Sequence, residues 1–548
     1  MNELNFTTTA LSLGIAWVLW KVLAIVLFTS PLDKLPGPKP KSWLTGHIKD
    51  IFNRHGWAFR DRLATDYGPI SKVHGLFGAR ILHVYDPLAL NHILVKDSLA
   101  YDEASWYYES NLLTFGPALL ATHGDHHRKQ RKMLAPVFSA NRVKEKITIF
   151  YKIAHKMRDS IIGQTKDGPR EVDIYGWMSR AALELIGQGG LGYSFDPLTE
   201  KVPTGEPYGN VVKSYLPTLY SLGPLRLFSH HLKYLGSPSF RRKLLNIIPH
   251  KGLHKLRDVV DQMHDMSRQV FEDKKRALTA GDAAMVEQVG EGKDIMSTLL
   301  RANMVASEAD RLPENELICQ MAGLVFAAVD TTAVALTQIL QTISEHPEAQ
   351  DKMRAEIMEA INAHGGEIPY DELVDLPYME AVYREIVRLD PPVTMVFRET
   401  TQDTVLPFTP IQGSDGKTLT EIEVPKGTLV LLSIRAANRH PDVWGEDVLE
   451  WKPERWLSPL PKSVSEAHIP GVYSNLMTFL GGRRSCIGFR FSQLEIKVIL
   501  ATLLSNFKFS LSENKDDIVW NLAGVRYPTV GRDTIKPSFP MKVERLSA

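Results

Sequence analysis

The sequence predicts a mainly helical α+β protein, in which one large helical body with small β-sheets follows a single N-terminal transmembrane helix. Three observations support this fold class. Residues 10–28 form an apolar run of membrane-spanning length, Leu312 to Glu345 have the pattern of one long buried helix, and strand-like segments are few and short. The chain has 548 residues, of which 44% are hydrophobic, and no linker or repeat divides it, so one large core is expected.

Residues 1–30 are predicted to be a membrane anchor. The run from Ala10 to Phe28 is long enough to cross a bilayer as a helix, and Lys21 can reach the headgroups. A cleaved signal peptide and a buried core helix are the alternatives. The start of the chain carries Glu3 and no basic residue before the run, which favours a retained anchor over a signal peptide.

Residues 31–45 are predicted to be a stiff, non-helical hinge. Prolines recur along this segment, at Pro31, Pro36, Pro38 and Pro40. Lysines also follow the apolar run, at Lys34, Lys39 and Lys41, so the positive-inside rule places the rest of the chain on the cytosolic side. Residues 46–548 then form the main body.

Shorter elements of the body follow from local patterns. Hairpins are predicted at Ser71–Val84 and at Thr409–Thr428, the second with a turn at Asp415–Gly416. Helices are predicted at Arg142–Ile162, Val172–Gly187 and Ile496–Phe507. The stretch from Leu219 to Pro249 is apolar and basic, and is predicted to form helices near the membrane.

The most informative helix is predicted from Leu312 to Glu345. Pro313 and Glu314 suit a first helical turn, and Pro347 ends the helix. The segment is apolar nearly all round, which fits either a buried helix or a second membrane span. Asp330 in its middle argues against the span, because a carboxylate at the bilayer centre costs roughly 2.5 kcal/mol or more.

Composition excludes several kinds of site. The formal net charge of +1 gives no electrostatic footprint for a nucleic-acid partner. Cys319 and Cys486 are the chain's two cysteines, too few for a disulfide framework or a four-cysteine metal site.

The motif that carries chemistry is Phe479–Gly488, which reads FLGGRRSCIG. Its glycines allow sharp bends, and Cys486 lies just before an apolar helix, where backbone N–H groups stabilise a thiolate. A lone cysteine would ordinarily be a small core residue. Here five positions match F-x-x-G-x-R-x-C-x-G, which resembles the haem-binding loop of the cytochrome P-450 family. The resemblance implies that Cys486 is the axial ligand of haem b, with Phe479, Arg484 and Gly488 also at the cofactor.

A buried ionic triad is implied by two further motifs of that family. Glu385 and Arg388 fit E-x-x-R, and Arg455 lies in the segment Pro453–Trp456, which fits P-E-R-F/W. On a helix, residues at this spacing share one face, so a solvated surface pair is the alternative for Glu385 and Arg388.

The oxygen-activation segment of the family is matched by Ala327–Thr332. The resemblance assigns Thr331 to oxygen activation and Asp330 to proton relay. The ordinary alternative for a mid-helix threonine is a hydrogen bond to the carbonyl of the preceding turn. Ala328 stands where the family usually has glycine, which puts in doubt the helix distortion that the family shows there.

Haem propionates are expected to pair with arginines, since guanidinium and carboxylate have matching fork geometry. The resemblance gives His127, Arg131, Arg398 and Arg484 as the candidates, His127 standing where tryptophan is usual. Solvated surface side chains are the alternative for each arginine.

Substrate contacts are expected from three regions, and the same side chains would serve equally as ordinary core. The candidates are Trp106, Phe115, Phe326, Ala327, Thr394 and Met395. The set is mostly apolar, which suits a lipophilic substrate.

The resemblance is strongest to microsomal members of the family from mushroom-forming fungi. It implies a monooxygenase of the endoplasmic reticulum membrane, single-pass and facing the cytosol, that uses O2 to oxidise a lipophilic molecule such as a terpenoid secondary metabolite. Electrons would come from NADPH through a separate NADPH–cytochrome P-450 reductase, with cytochrome b5 as a further candidate donor. The docking face is expected at basic residues, namely Arg128, Lys129, Arg131, Lys132 and Arg483. A haem-thiolate isomerase, dehydratase or peroxygenase, and a non-catalytic haem carrier, remain the alternatives.

Overall fold

The computed structural model describes residues 30–200, 208–281, 292–513 and 515–546. The predicted membrane helix falls on residues outside these ranges, so it stays a prediction.

The mainly helical α+β body is confirmed. The α-helices are Ile48–Ile51, Trp57–Tyr67, Pro87–Asn91, Ser105–Phe115, Gly124–Leu134, Ala140–Lys144, Ile147–Gln164, Ile174–Glu184, Tyr208–Ser221, Pro238–Ile247, Lys251–Ala280, Ile295–Val305, Glu314–Glu345, Pro347–His364, Tyr370–Leu373, Pro377–Leu389, Ile434–Ala437, Pro441–Trp444, Lys462–Glu466 and Phe489–Leu504.

The strands form small sheets. They are β1 (Ile70–His74), β2 (Arg80–Val84), β3 (Tyr101–Glu103), β4 (Arg170–Asp173), β5 (Met395–Thr400), β6 (Thr404–Gln412), β7 (Thr418–Val424), β8 (Leu429–Ser433), β9 (Phe507–Leu511), β10 (Ile518–Asn521), β11 (Tyr527–Val530) and β12 (Pro540–Arg545). One sheet has the order β1-β2-β8-β5-β3, with β2 and β8 parallel and the other pairs antiparallel. The order β4-β12-β9 and the pairs β6-β7 and β10-β11 make the others.

The central helix, Glu314–Glu345, confirms the prediction closely. It begins after Pro313, carries Glu314 and Glu316 in its first turn, and ends at His346, before Pro347 starts the next helix. Among the described helices it is the one long and apolar enough to cross a membrane, yet 67% of its most apolar stretch is buried within the protein. It is therefore the core helix of the body.

The predicted hinge is docked on the large sheet. Pro31–Lys34 form a 3-10 turn capped by Ser30, with Leu32 buried. The carboxylate of Asp33 pairs with Arg80 at 3.0 Å. The prediction of a non-helical connector is wrong at this turn, because Asp33 satisfies the backbone N–H of Ser30 and so closes the turn.

Both predicted hairpins are confirmed, as β1-β2 and β6-β7. The helix after Cys486 begins at Phe489 rather than Ile496, because Gly488 caps it and exposed Arg490 belongs to its solvent side. The stretch from Leu219 to Pro249 contains a long 3-10 segment, Gly223–Tyr234, and the helix Pro238–Ile247.

Candidate active site

The cysteine loop is held by its own backbone and by its glycines. Two 3-10 turns, Met477–Phe479 and Gly482–Arg484, precede Cys486, and the N–H of Cys486 donates to the carbonyl of Phe479 at 2.8 Å. A Cβ on Gly482, whose φ is +66°, would lie 1.8 Å from the carbonyl oxygen of Leu94. A Cβ on Gly481 would lie 1.3 Å from the carbonyl oxygen of Pro470. Both positions therefore require glycine.

The Cys486 side chain is accessible, although it lies within the fold. Burial raises the pKa of its thiol, while the N–H of Gly488 and the charge of Arg131 act in the opposite direction. The backbone donor that the sequence predicted near this sulfur is therefore Gly488, the residue that caps the following helix.

Arg131 joins the helix Gly124–Leu134 to the cysteine loop. Its guanidinium donates to the carbonyl and the hydroxyl of Ser485 at 2.8 and 2.9 Å. Arg131 is therefore the cation that lowers the pKa of the Cys486 thiol, against the effect of burial. Sequence spacing could not reveal this, because Arg131 and Cys486 lie on separate elements.

A cleft of about 150 Å³ brings together His127, Arg398 and Arg484. Arg484 donates to Asp102 at 3.1 Å and to the carbonyl of Thr122 at 2.8 Å. Arg398 pairs with Glu103 at 3.0 Å, and its buried Nη2 has no hydrogen-bond partner among the described residues.

His127 is uncharged in this setting. Burial, together with the charges of Arg484 and Arg131, lowers the pKa of its imidazole to about 3. The acidic partners on β3, Asp102 and Glu103, were missed by sequence reasoning, and no motif marks them.

The three residues of the predicted ionic triad lie together. Glu385 and Arg388 form a bidentate pair, with both side chains completely buried. Nε of Arg455 lies 3.5 Å from Glu385, and this arginine also pairs with Asp447 at 2.9 Å. The indole of Trp456 donates to Glu385 at 2.9 Å, a contact that the motif contained but sequence reasoning did not use.

The central helix carries Asp330 and Thr331 on different sides. The hydroxyl of Thr331 donates to the carbonyl of Ala327 at 2.7 Å, and Ala327 is exposed although its helix is mostly buried. Asp330 is buried, and burial raises the pKa of its carboxyl to about 7, an effect that Lys213 opposes. The helix is assigned as α-helix without a break from Glu314 to Glu345.

The predicted substrate residues fall into two groups. Phe115 and Phe326 have ring centroids 5.0 Å apart, and Tyr215, which sequence reasoning missed, packs on both at 5.6 and 5.2 Å. Trp106 packs instead on Phe397 at 5.2 Å. Of the remaining candidates, Met395 lies beside the Trp106 group, and Thr394 is buried and accepts a hydrogen bond from Arg60.

The residues fit an iron porphyrin. Cys486 offers an accessible sulfur, and the cleft beside its loop offers guanidinium donors, one of them unpartnered at Nη2 of Arg398. At the cysteine loop, the ring of Phe479 packs on the rings of Tyr473 and Phe489, with centroid distances of 5.8 and 6.1 Å. A soft sulfur ligand with propionate-binding arginines is the donor set that thiolate-ligated haem requires.

This fold and this cysteine define a haem-thiolate class of protein. A family model described as Cytochrome P450 matches residues 36–525. The chain therefore belongs to the cytochrome P450 family, and it is a monooxygenase of that family.

Its relatives include several fungal enzymes. The chain is 50% identical to "Cytochrome P450 monooxygenase 91" of Postia placenta, with 97% of each chain covered. It is 43% identical to "Ganoderic acid synthetase CYP5150L8" of Ganoderma lucidum, over 97% of this chain and 98% of the relative. It is 35% identical to "Cytochrome P450 monooxyhenase eriI" of Hericium erinaceus, with 94% of each covered.

Proposed function

We propose that this protein inserts one oxygen atom from dioxygen into a lipophilic small molecule, with haem b held by Cys486 and electrons supplied from NADPH by a separate reductase. The observation that carries the proposal is an accessible Cys486 thiol in a rigid loop, beside a cleft lined by His127, Arg398 and Arg484. When bound, the haem supplies the site at which dioxygen is reduced and split.

Residues of the chain would bind the propionates, transfer protons and support the cysteine loop. Arg131, Arg398 and Arg484, with neutral His127, would bind the propionates. The hydroxyl of Thr331, which donates to Ala327 in this structure, would be a hydrogen-bond donor beside the haem, and Asp330, with a pKa near 7, can both release and accept protons at neutral pH. Glu385, Arg388 and Arg455 would support the loop.

The test is the carbon monoxide difference spectrum of the reduced protein. We expect the band of thiolate-ligated haem in the wild type and its loss in Cys486→Ser. Cys319→Ser is the matched control, because Cys319 is the other cysteine of the chain and lies in the buried core. If Cys486→Ser keeps the band, the ligand assignment is wrong.

Turnover distinguishes a monooxygenase from the isomerase, dehydratase or peroxygenase alternatives. Product should require the NADPH-fed reductase and O2. Product from peroxide alone, or without a reductant, would favour the alternatives. Haem binding without turnover of any lipophile would favour a carrier.

The substrate class is proposed to be terpenoid. The support is the relative named ganoderic acid synthetase, together with the apolar pair Phe115 and Phe326. Product analysis with a panel of terpenoids in microsomes from an expression host tests this assignment.

The reductase is proposed to dock on the basic face defined above. Arg128 and Lys132 on that face are exposed, although Lys132 also pairs with Asp310 at 3.2 Å. The variant Arg128→Glu should raise the KM for the reductase, and added salt should diminish the difference from the wild type.

Membrane attachment is proposed to have two parts, the segment 1–30 and the apolar surface of Gly223–Ile247. That surface exposes large side chains, namely Leu225, Phe228, Tyr234, Leu235, Phe240 and Ile247. Arg241 and Lys243 lie among them. A chain lacking residues 1–30 should still bind anionic vesicles, and Ile247→Asp should weaken that binding, whereas Ile535→Asp, at an exposed site elsewhere, should not.

A further inference from the structure

Arg226 is a cation that has no anionic partner among the residues the structure describes. Its guanidinium carbon lies 5.3 Å from the ring centroid of Trp106 and 5.0 Å from that of Tyr220. Its Nε is shielded from solvent and has no hydrogen-bond acceptor within the described residues. A shielded Nε–H without an acceptor costs free energy unless a ligand accepts a hydrogen bond from it.

A neighbouring cation has an acidic partner. Lys233, on the same 3-10 segment, lies 3.6 Å from the carboxylate of Glu109. Glu109 lies on the helix Ser105–Phe115, so a carboxylate is present close to the segment that carries Arg226.

The position of Arg226 is fixed by its segment. Gly223–Tyr234 packs on the helix Ser105–Phe115, and the hydroxyl of Ser229 donates to the carbonyl of Trp106 at 2.7 Å. Trp106 is buried against Phe397. The guanidinium is thus held against a rigid aromatic wall, as a recognition group should be.

A second arginine lies near the same tyrosine. Arg60 donates to Thr394 at 2.7 Å and to the carbonyl of Ile51 at 3.0 Å, while its Nε has no acceptor among the described residues. Burial lowers the pKa of Arg60 to about 10, and Tyr220 acts in the opposite direction. Tyr220 therefore interacts with Arg226 through its ring and with Arg60 electrostatically.

Tyr215 is influenced by the charge of Arg226 and packs on the aromatic pair Phe115 and Phe326. Burial raises the pKa of Tyr215 to about 12, and Arg226 is near enough to oppose this effect. The Tyr215 ring packs on Phe115 and Phe326, and Phe326 directly precedes Ala327. The helix Ser105–Phe115 thus carries both Trp106, which meets Arg226, and Phe115, which meets Tyr215 and Phe326.

We propose that Arg226, together with Arg60 and Tyr220, binds the carboxylate of the substrate, so that the enzyme acts on lipophilic carboxylic acids. The apolar body of the acid would lie along Phe115 and Phe326 toward Thr331. This inference rests on the proposed monooxygenase function and specifies its substrate class. Guanidinium–carboxylate bonds are charge-assisted and strong in a shielded site, whereas an ester or alcohol gains much less from them.

The test compares acids with their methyl esters on the haem-loaded, full-length protein. The probes are abietic acid and methyl abietate, and oleic acid and methyl oleate, titrated at pH 8 against the shift of the haem absorption band. Wild-type protein should bind at least one acid about tenfold more tightly than its ester. Arg226→Gln should remove this preference by weakening the acid alone, and Arg226→Lys should keep part of it.

Arg241→Gln is the matched control, since Arg241 also has a shielded Nε without a partner but lies on the exposed helix Pro238–Ile247. It should leave the acid preference unchanged. The proposal is overturned if neither acid binds the wild type, if esters bind as tightly as acids, or if Arg226→Gln weakens both members of a pair equally. The carbon monoxide band, recorded on the same samples, reports separately on the monooxygenase assignment.

Discussion

Glu385 and Arg388, one turn apart on the helix Pro377–Leu389, are joined by two hydrogen bonds of 2.7 and 2.8 Å, and both side chains are completely shielded from solvent. Arg388 also donates to the carbonyls of Asn438 and Val448 at 3.2 and 2.7 Å. The pair therefore ties this helix to the loops that approach the cysteine segment. Deleting one partner would leave the other charge buried and uncompensated.

Arg388→Ala should lower the free energy of unfolding by about 3–5 kcal/mol and reduce haem incorporation. The measurement is denaturant unfolding with haem content per protein. Arg142→Ala is the control, because Arg142 and Glu145 have the same sequence spacing at 3.1 Å but are exposed, so the expected cost is below about 1 kcal/mol. Equal costs for the two variants would show that burial of the Glu385 pair has no structural importance.

Gly482→Ala should abolish haem binding, because the new Cβ would lie 1.8 Å from the carbonyl oxygen of Leu94 and the cysteine loop must move. Gly416→Ala introduces the same strain at a φ of +79° but in open space, so it should cost only about 1–2 kcal/mol. Haem absorbance after purification distinguishes them. Normal haem content in Gly482→Ala would mean that the loop tolerates displacement.

The sequence predicted those elements that are determined by residues close together in the chain. Pro313 and Pro347 bracket the central helix because proline lacks the N–H that a helix interior requires, and fixed spacing identified the Cys486 loop. Turn residues likewise predicted both hairpins. Each of these features is determined by residues near one another in the chain.

Contacts between distant residues that no motif marks were not predicted. The carboxylates that meet Arg484 and Arg398 lie on β3, whose pairing with β5 brings them there. The effect of the Arg131 charge on the pKa of the Cys486 thiol likewise depends on how the helix Gly124–Leu134 packs. Periodicity in one segment carries no information about such neighbours, so Asp102, Glu103 and Tyr215 could be found only in the fold.

Asp330→Asn should make the free energy of unfolding less dependent on pH. Burial raises the pKa of this carboxyl from its ordinary value of 3.8 to about 7. Between these values the folded protein holds a proton that the unfolded chain releases, so the free energy of unfolding falls as pH rises through this window, by up to roughly 4 kcal/mol. The asparagine variant should therefore be more stable than wild type at pH 8 and nearly equal at pH 4.

Melting temperatures of the haem-loaded proteins from pH 4 to 8 test this, with Asp167→Asn as the exposed control. The control should follow the wild-type curve closely. Parallel curves for wild type and Asp330→Asn would show that the carboxyl keeps an ordinary pKa. Turnover of Asp330→Asn should fall as well, since the amide cannot relay protons.

Glu495 lies completely buried on the helix after Cys486, where one carboxyl oxygen accepts a hydrogen bond from Thr332 at 3.1 Å and the other has no partner among the described residues. Burial raises the pKa of Glu495 well above its ordinary value, which favours the neutral form of the side chain. Glu495→Gln, which preserves shape and neutrality, should therefore change the free energy of unfolding by less than about 1 kcal/mol. Glu495→Ala should cost about 2–4 kcal/mol through the cavity it leaves.

Thr332→Val should cost about 1–3 kcal/mol, because it removes the hydrogen-bond partner that the structure gives Glu495. Thermal unfolding of the three variants ranks these effects. If Glu495→Gln were as damaging as Glu495→Ala, the native side chain would have to be ionised. Thr332 would then stabilise a buried charge. The hydrogen bond between the central helix and the helix Phe489–Leu504 would be charge-assisted instead of neutral.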